Sequence, residues 1–341
     1  MIENALLNVA VIGLGVGEQH ARTYADAKNC RLKWLHDFDQ GRAKTLADAL
    51  GGVNIAENEA MIFDDAETDL VSIASYDDDH FSQVMKGLAA GKSLFVEKPL
   101  CRTIEELKAI KTAWTEAGRP PLETNLVLRS APLYVWLKEE IAAGTLGDIY
   151  AIDGDYLYGR LHKITEGWRK NVDNYSVMSG GGIHIIDLMV WLTGQCPSFV
   201  SSVGNRIATE GTRFQSNDYM ASTFRFPSGM NARITANFGC VHRHHHVLRV
   251  FGTKATFIYD DQGPRLHTDR DEAVRATNIE FDPLPASKGS LIPDFIKTIL
   301  SENRHDEDMR AAVQHNINVV SIVAAADYAA NSNQEESIYY V

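Results

Sequence analysis

The sequence predicts an α/β protein in two parts: an amino-terminal doubly wound, parallel-sheet domain over residues 1–124, and an α+β domain over residues 125–341 with a large, mostly antiparallel open sheet. Three observations predict it. Apolar strands alternate with helical spacing up to residue 124, long strands separated by turns follow, and 341 residues exceed the size at which a single core keeps growing.

The first strand is Asn8-Val9-Ala10-Val11-Ile12, a continuous apolar run typical of a strand covered on both faces. It leads directly into Gly13-Leu14-Gly15-Val16-Gly17-Glu18-Gln19-His20, and helical spacing follows at Ala21, Tyr24 and Ala25. Gly13 suits the sharp bend of a dinucleotide-binding turn, and Gly15 lets the backbone approach a pyrophosphate whose charge is met by the helix amino terminus. The spacing departs from Gly-x-Gly-x-x-Gly: Glu18 holds the third position and the extra glycine comes one residue early, at Gly17. A turn one residue shorter is expected.

The second strand, Arg31–His36, ends at Asp37, 22 positions beyond Gly15, close to the spacing of an acid that binds an adenosine ribose. A carboxylate accepts hydrogen bonds from two ribose hydroxyls and repels a 2′-phosphate, so NAD is favoured over NADP. Phe38 and Asp39 follow, and Arg42 is the nearest cation, able to fold back. A third strand, Asp69–Ser75, precedes Tyr76-Asp77-Asp78-Asp79-His80, whose aspartates fit a helix start; the helix should run to Gly91. His80 reads equally well as a first-turn residue without chemistry. A fourth strand, Ser93–Val96, delivers Glu97-Lys98-Pro99, putting Lys98 at a carboxyl strand end, where parallel sheets bind ligands.

Gly13-x-Gly15, Asp37, Ile73-Ala74-Ser75-Tyr76-Asp77-x-x-His80, Ala89-Ala90-Gly91-Lys92 and Glu97-Lys98-Pro99 resemble, in order and spacing, the Gfo/Idh/MocA oxidoreductases, named after glucose-fructose oxidoreductase and inositol dehydrogenase. Further along, Asn125, Arg129, Gly144-x-Leu146-Gly147, Trp168-Arg169, Gly180-Gly181-Gly182 and His184-x-x-Asp187 resemble landmarks of that family's second domain. The resemblance implies a Rossmann domain holding NAD at Gly13, Leu14, Gly15, Val16, Asp37, Phe38, Ser75, Tyr76, Asp77, His80, Glu97, Lys98 and Asn125. It also implies a homo-oligomer, dimer or tetramer, with subunit contacts through the open sheet.

Lys and Arg number 33 against 45 Asp and Glu, and the resulting net charge of −12 disfavours nucleic acid or an anionic membrane as partner. The amino terminus has no basic region followed by an apolar segment, and no stretch reaches membrane-spanning length, so the cytoplasm is the expected location. Cys30, Cys101, Cys196 and Cys240 are scattered without metal or disulfide spacing. His242-Arg243-His244-His245-His246 invites a metal reading, yet consecutive strand side chains point to opposite faces and no carboxylate completes a site. No metal is expected; these read as structural or substrate-facing histidines.

In the second domain the expected strands are Ile149–Asp155, Phe199–Asn205, Tyr219–Phe226, Asn231–Phe238, Val247–Phe251 and Ala255–Tyr259, with turns at Pro227-Ser228-Gly229 and Gly252-Thr253-Lys254. Residues 311–330 carry apolar helical spacing and read as a packing helix.

Ser179-Gly180-Gly181-Gly182 opens a helix expected over Ile183–Gly194, on which His184 and Asp187 share a face and the glycines let a substrate come close. Oxidising a carbinol requires the hydroxyl proton to leave with the hydride, and histidine titrates in the right range to take it. Lys98 would stabilise the developing charge on the same oxygen, or, desolvated, would itself be the base. Many members of the resembled family carry an aspartate four residues before this histidine. Here that position is Gly180, so the helix is expected to start later, and either His184 works with Lys98 alone or a partner such as Tyr175 or Asp187 substitutes. Arg129, Tyr156, Arg160, Trp168, Arg169 and Tyr175, together with Lys98 and His184, are the expected substrate contacts, because aromatic faces and guanidinium groups suit sugar rings and anionic groups.

The resulting expectation is an NAD-dependent dehydrogenase acting on a secondary hydroxyl of a sugar, nucleotide sugar or cyclitol, with Lys98, His184 and Asp187 as catalytic residues. The alternatives are a redox-type glycosidase that regenerates its NAD, and a non-catalytic NAD-binding module.

Overall fold

The computed structural model describes residues 6–301 and 306–341 and divides into two compact units. The first comprises Met1–Val127, Pro285–Ile317 and Val341; the second comprises Leu128–Leu284 and Asn318–Tyr340.

The first unit alternates strand and helix: β1 Leu7–Ile12, α1 Gly17–Asp26, β2 Cys30–His36, α2 Gln40–Ala49, β3 Asn54–Ile55, α3 Ala60–Phe63, β4 Leu70–Ile73, α4 His80–Ala89, β5 Ser93–Val96, α5 Ile104–Glu116 and β6 Leu122–Thr124. All pairings are parallel, in the order β3-β2-β1-β4-β5-β6. Every residue of β4 and β5 is buried, as expected of central strands covered on both faces. The order reverses between β1 and β4, which makes their carboxyl ends the place for a ligand. α5 starts at a capping box in which Thr103 and Glu106 each satisfy the other's backbone N–H.

The helix Ile292–Leu300, placed by linear order in the 125–341 domain, packs in this first unit. Its stripe Ile292, Phe295, Ile296 and Ile299 joins the core of Val9, Val11, Tyr24, Leu35 and Phe95, with the Phe95 and Phe295 rings 5.6 Å apart. Apolar spacing identifies such a helix but not the core to which the chain returns it.

The second unit contains α6 Pro132–Ala142, β7 Ile149–Leu157, α7 His162–Thr165, α8 Ile183–Thr193, β8 Phe199–Asn205, β9 Tyr219–Arg225, β10 Asn231–Asn237, β11 His245–Gly252, β12 Thr256–Asp260, β13 Gly263–His267, β14 Thr277–Asn278 and β15 Glu336–Ser337. Its sheet runs β14-β13-β12-β11-β7-β10-β9-β8-β15, antiparallel except where β7 meets β10. The six expected strands are all present, and β13, β14 and β15 extend the sheet. They escaped the sequence because two have only two residues and β13 contains Pro264. Gly229, at φ +89°, closes the β9–β10 hairpin. The helix Asp306–Ser332 covers the expected 311–330 segment. Among the described residues, no helix is long and apolar enough to cross a membrane.

Candidate active site

In the first unit the turn after β1 is shaped by its neighbours. At Gly13 (φ +82°) a Cβ would lie 2.5 Å from the backbone of Ala74 and Ser75, so only glycine fits beneath the β4–α4 turn. A Cβ at Gly15 would meet nothing within 4 Å, so that side of the turn is open to a ligand, and α1 begins at Gly17, where a Cβ would press on Val11 and Ala74 at 3.1 Å. Gly17 therefore supplies the close helix–strand packing ordinarily given by the third glycine. Leu14 is buried and Val16 is exposed.

Asp37 is buried at the end of β2; one carboxylate oxygen accepts the Leu14 N–H at 2.7 Å and the other the Asp39 N–H at 2.8 Å. Arg42 does fold back, its guanidinium 3.4 Å from Asp37. Phe38 is 73% exposed and lies 5.8 Å, ring to ring, from Tyr76, giving two solvent-facing aromatic surfaces at the carboxyl ends of β2 and β4. Ser75 donates to Gln83, Asp77 is half-buried, and His80 is fully buried with its nitrogens against the carbonyls of Pro99 and Ser75 at 2.7 and 3.3 Å. The His80 ring thus ties the turn after β4 to the loop that carries Lys98.

Lys98 is half-buried directly after β5. Next to it, Glu97 accepts the Asn125 amide N–H at 2.6 Å and lies 3.3 Å from His20 Nε2, while His20 Nδ1 meets Ser72 Oγ at 3.0 Å. Burial alone would raise the Glu97 carboxyl, but the hydrogen bond and charge of His20, together with the Asn125 amide, outweigh it and hold it down at about 2. The Asn125 amide also donates to the Lys288 carbonyl at 2.7 Å, whereas its Oδ1 is buried with no hydrogen-bond partner. A buried acceptor is costly to leave open, and the carboxamide of a nicotinamide is a donor that would satisfy it. The open Gly15, the buried Asp37 and this orphaned oxygen fit a dinucleotide. His20 had no assigned role from sequence; its signal was its position one residue before Ala21 and four before Tyr24, on the buried face of α1.

In the second unit the glycine run is itself helical, a wide π turn over Met178–Gly182 continuous with α8, so no later helix start occurs. The glycines are filled around rather than left open: a Cβ at Gly180 would fall 1.9 Å from Tyr175 Oη, and one at Gly181 2.2 Å from the Tyr156 ring. The expected room for a substrate above Gly180 and Gly181 is therefore occupied by two tyrosines of the same unit. Tyr175 accepts from Arg169 Nε at 2.9 Å, and the guanidinium lies over Trp168 at 4.6 Å. Arg160 is exposed and lies 5.6 Å over the Tyr158 ring.

His184 occupies the first turn of α8 and is 7% exposed. Tyr156 stacks on it at 6.0 Å and is itself buried, its phenol pushed far above the ordinary range by that burial despite the nearby Arg169 and Arg160. One turn on, Asp187 is gripped by Arg129 through Nε at 3.0 and 2.9 Å and through Nη2 at 2.6 Å. Among the described residues, no group of three or more His, Cys, Asp and Glu could hold a metal ion.

Residues 7–123 match the oxidoreductase family with an NAD-binding Rossmann fold, and residues 134–258 match the GFO/IDH/MocA C-terminal domain. Inositol 2-dehydrogenase 2 of Saccharopolyspora erythraea is 30% identical over 191 residues, 55% of this chain and 54% of that protein. D-glucoside 3-dehydrogenase of Escherichia coli is 23% identical over 320 residues, 91% and 87% of the two chains. The matched region spans about half the length of the inositol dehydrogenases. The solved structure of levoglucosan dehydrogenase with NADH superposes with a TM-score of 0.83 at 21% identity, covering 98% of this chain and 100% of the other.

Proposed function

The chain belongs to the GFO/IDH/MocA oxidoreductase family, and from that premise we propose that it is an NAD-dependent dehydrogenase moving hydride between a secondary hydroxyl of a ring polyol and nicotinamide. The observation that carries this reading is the buried Asp37 carboxylate locked by the Leu14 and Asp39 N–H groups beside an open Gly15, a geometry suited to adenosine ribose and pyrophosphate. Similarity to proteins named for inositol, D-glucoside and levoglucosan supports a cyclitol or a sugar ring as substrate.

The bound cofactor supplies the hydride acceptor. The chain's own groups would supply the rest: His184 as the base for the hydroxyl proton, and Lys98 as an ammonium that stabilises negative charge developing on oxygen. Asn125 would hold the carboxamide of the cofactor through its unpartnered oxygen, and Phe38 and Tyr76 would offer aromatic faces to the adenine. Trp168, Arg169, Tyr175 and Arg160 contact the substrate ring, while Arg129 and Asp187 hold α8 in place as a positioning pair. The enzyme works in the cytoplasm as a homo-oligomer, pairing through the sheet face opposite α8, where Asp153 and Asp155 bridge to Arg233 and Arg249.

The test is NADH formation with myo-inositol, levoglucosan and methyl β-D-glucoside, for wild type and Lys98→Met. Turnover by wild type and its loss in the variant are expected; full activity in Lys98→Met, or free sugar without net NADH, would overturn the reading.

A further inference from the structure

The run His242–His246 enters β11 at His245, and its imidazoles divide between two sides of the chain. His245, opposite Leu157 in the ladder, turns to the Tyr259 hydroxyl at 3.4 Å, and the half-buried His242 reaches Asp261 at 3.1 Å. His244 and His246 turn instead to Tyr156, their rings 5.2 and 5.3 Å from its own. On that side the His246 ring lies 6.2 Å from His184, and the His244 ring 4.9 Å from His246. His184 and His246 are 7% and 6% exposed, whereas His244 is half-exposed, so three imidazoles lead from the buried start of α8 toward solvent.

A buried base that accepts a proton in each turnover must release it before the next. Imidazole suits that transfer, because one ring nitrogen accepts while the other donates. We propose that His246 and His244 form a proton relay from His184 to water. This rests on His184 being the base in the function proposed above. As the carbinol C–H hydride leaves for nicotinamide, the O–H bond breaks, the carbonyl forms and the proton binds His184. It then passes to His246, to His244 and to water, leaving each imidazole neutral; reduction runs the path in reverse. Tyr156, packed on all three rings, stays neutral beside them because burial raises its phenol far above working pH, and Asp261 is engaged by His242 and Arg243.

The test is steady-state oxidation of myo-inositol, levoglucosan and methyl β-D-glucoside by wild type, His246→Phe and His244→Phe, with and without added imidazole. Each variant is expected to lose about 10²-fold in kcat with KM unchanged, to recover with imidazole, and to show a larger solvent deuterium effect alongside a smaller substrate deuterium effect. His245→Gln, on the other face of the same strand, keeps wild-type kcat. Unchanged kcat in His246→Phe, a rise in KM alone, or a loss that imidazole fails to restore in a natively folded variant overturns the relay. If His246→Phe fails to fold, His246→Gln is read by the same criteria. Full turnover in His184→Ala, or none in wild type, defeats the parent reading, whereas loss in His184→Ala with normal His246→Phe defeats the relay alone.

Discussion

Arg129 holds both carboxylate oxygens of Asp187, with Nε at 3.0 and 2.9 Å and Nη2 at 2.6 Å, and the two side chains are 13% and 1% exposed. The pair fastens the short 3₁₀ turn Val127–Ser130 to α8 one turn beyond His184. Removing one partner leaves the other charge buried. Asp187→Ala should therefore cost about 3–5 kcal/mol in urea unfolding, and Arg129→Met/Asp187→Leu much less, because the double change removes both charges together. Equal costs for the single and double variants would contradict a positioning role.

Gly180 touches Tyr175 more closely than any side chain there would allow. Gly180→Ala should lose about 1–3 kcal/mol through overpacking, and the loss should shrink in a Tyr175→Ala background. Strictly additive effects in the double-mutant cycle would show that the tyrosine hydroxyl is not the obstacle.

Asp37, the carboxylate proposed above for the adenosine ribose, has the Arg42 guanidinium 3.4 Å away. Asp37→Ala should weaken NAD by about 10–100-fold, the worth of charged hydrogen bonds, and move preference toward NADP as Arg42 becomes available to a 2′-phosphate. Adding Arg42→Ala should cancel the gain; titration with both dinucleotides measures it.

Two carboxyls give stability opposite pH slopes. Glu97 falls from 4.5 to about 2 in the fold, so its contribution is complete above pH 4.5 and is lost as pH drops toward 2. Asp327 rises from 3.8 to about 7, burial outweighing the Ser176 hydrogen bond at 2.7 Å; its contribution is complete below pH 3.8 and is lost as pH rises through 7. Asp327→Asn should flatten the decline in unfolding midpoint between pH 5 and pH 8, and Glu97→Gln should flatten the acid limb. An unchanged slope in Asp327→Asn would rule out that carboxyl as its source.

Strand periods and glycine positions were legible wherever local sterics decide them. The strand Phe199–Asn205 coincides with its expected bounds, and the Gly13 turn and Asp37 lie where their spacing puts them. The polar cluster around His20, by contrast, had no local signal. His20, Ser72, Glu97 and Asn125 come from four separate elements, and only packing of α1 on the sheet brings their polar atoms within hydrogen-bond range. The glycine run shows the same limit: three glycines announce a close approach but not its source, which proved to be Tyr175, Tyr156 and Met178 of the same unit.

By itself the sequence determined the two kinds of sheet, the turn at Gly13, the acid at the end of β2 and the places of Lys98 and His184 along the chain. Tertiary structure alone decided that residues 285–317 return to the first unit, that Asp187 pairs with Arg129, and that His244 and His246 face Tyr156 while His245 turns away. The division follows from range: backbone sterics and hydrophobic period act between neighbours in sequence, whereas charge pairing and ring packing act between groups that become neighbours only once the core has closed.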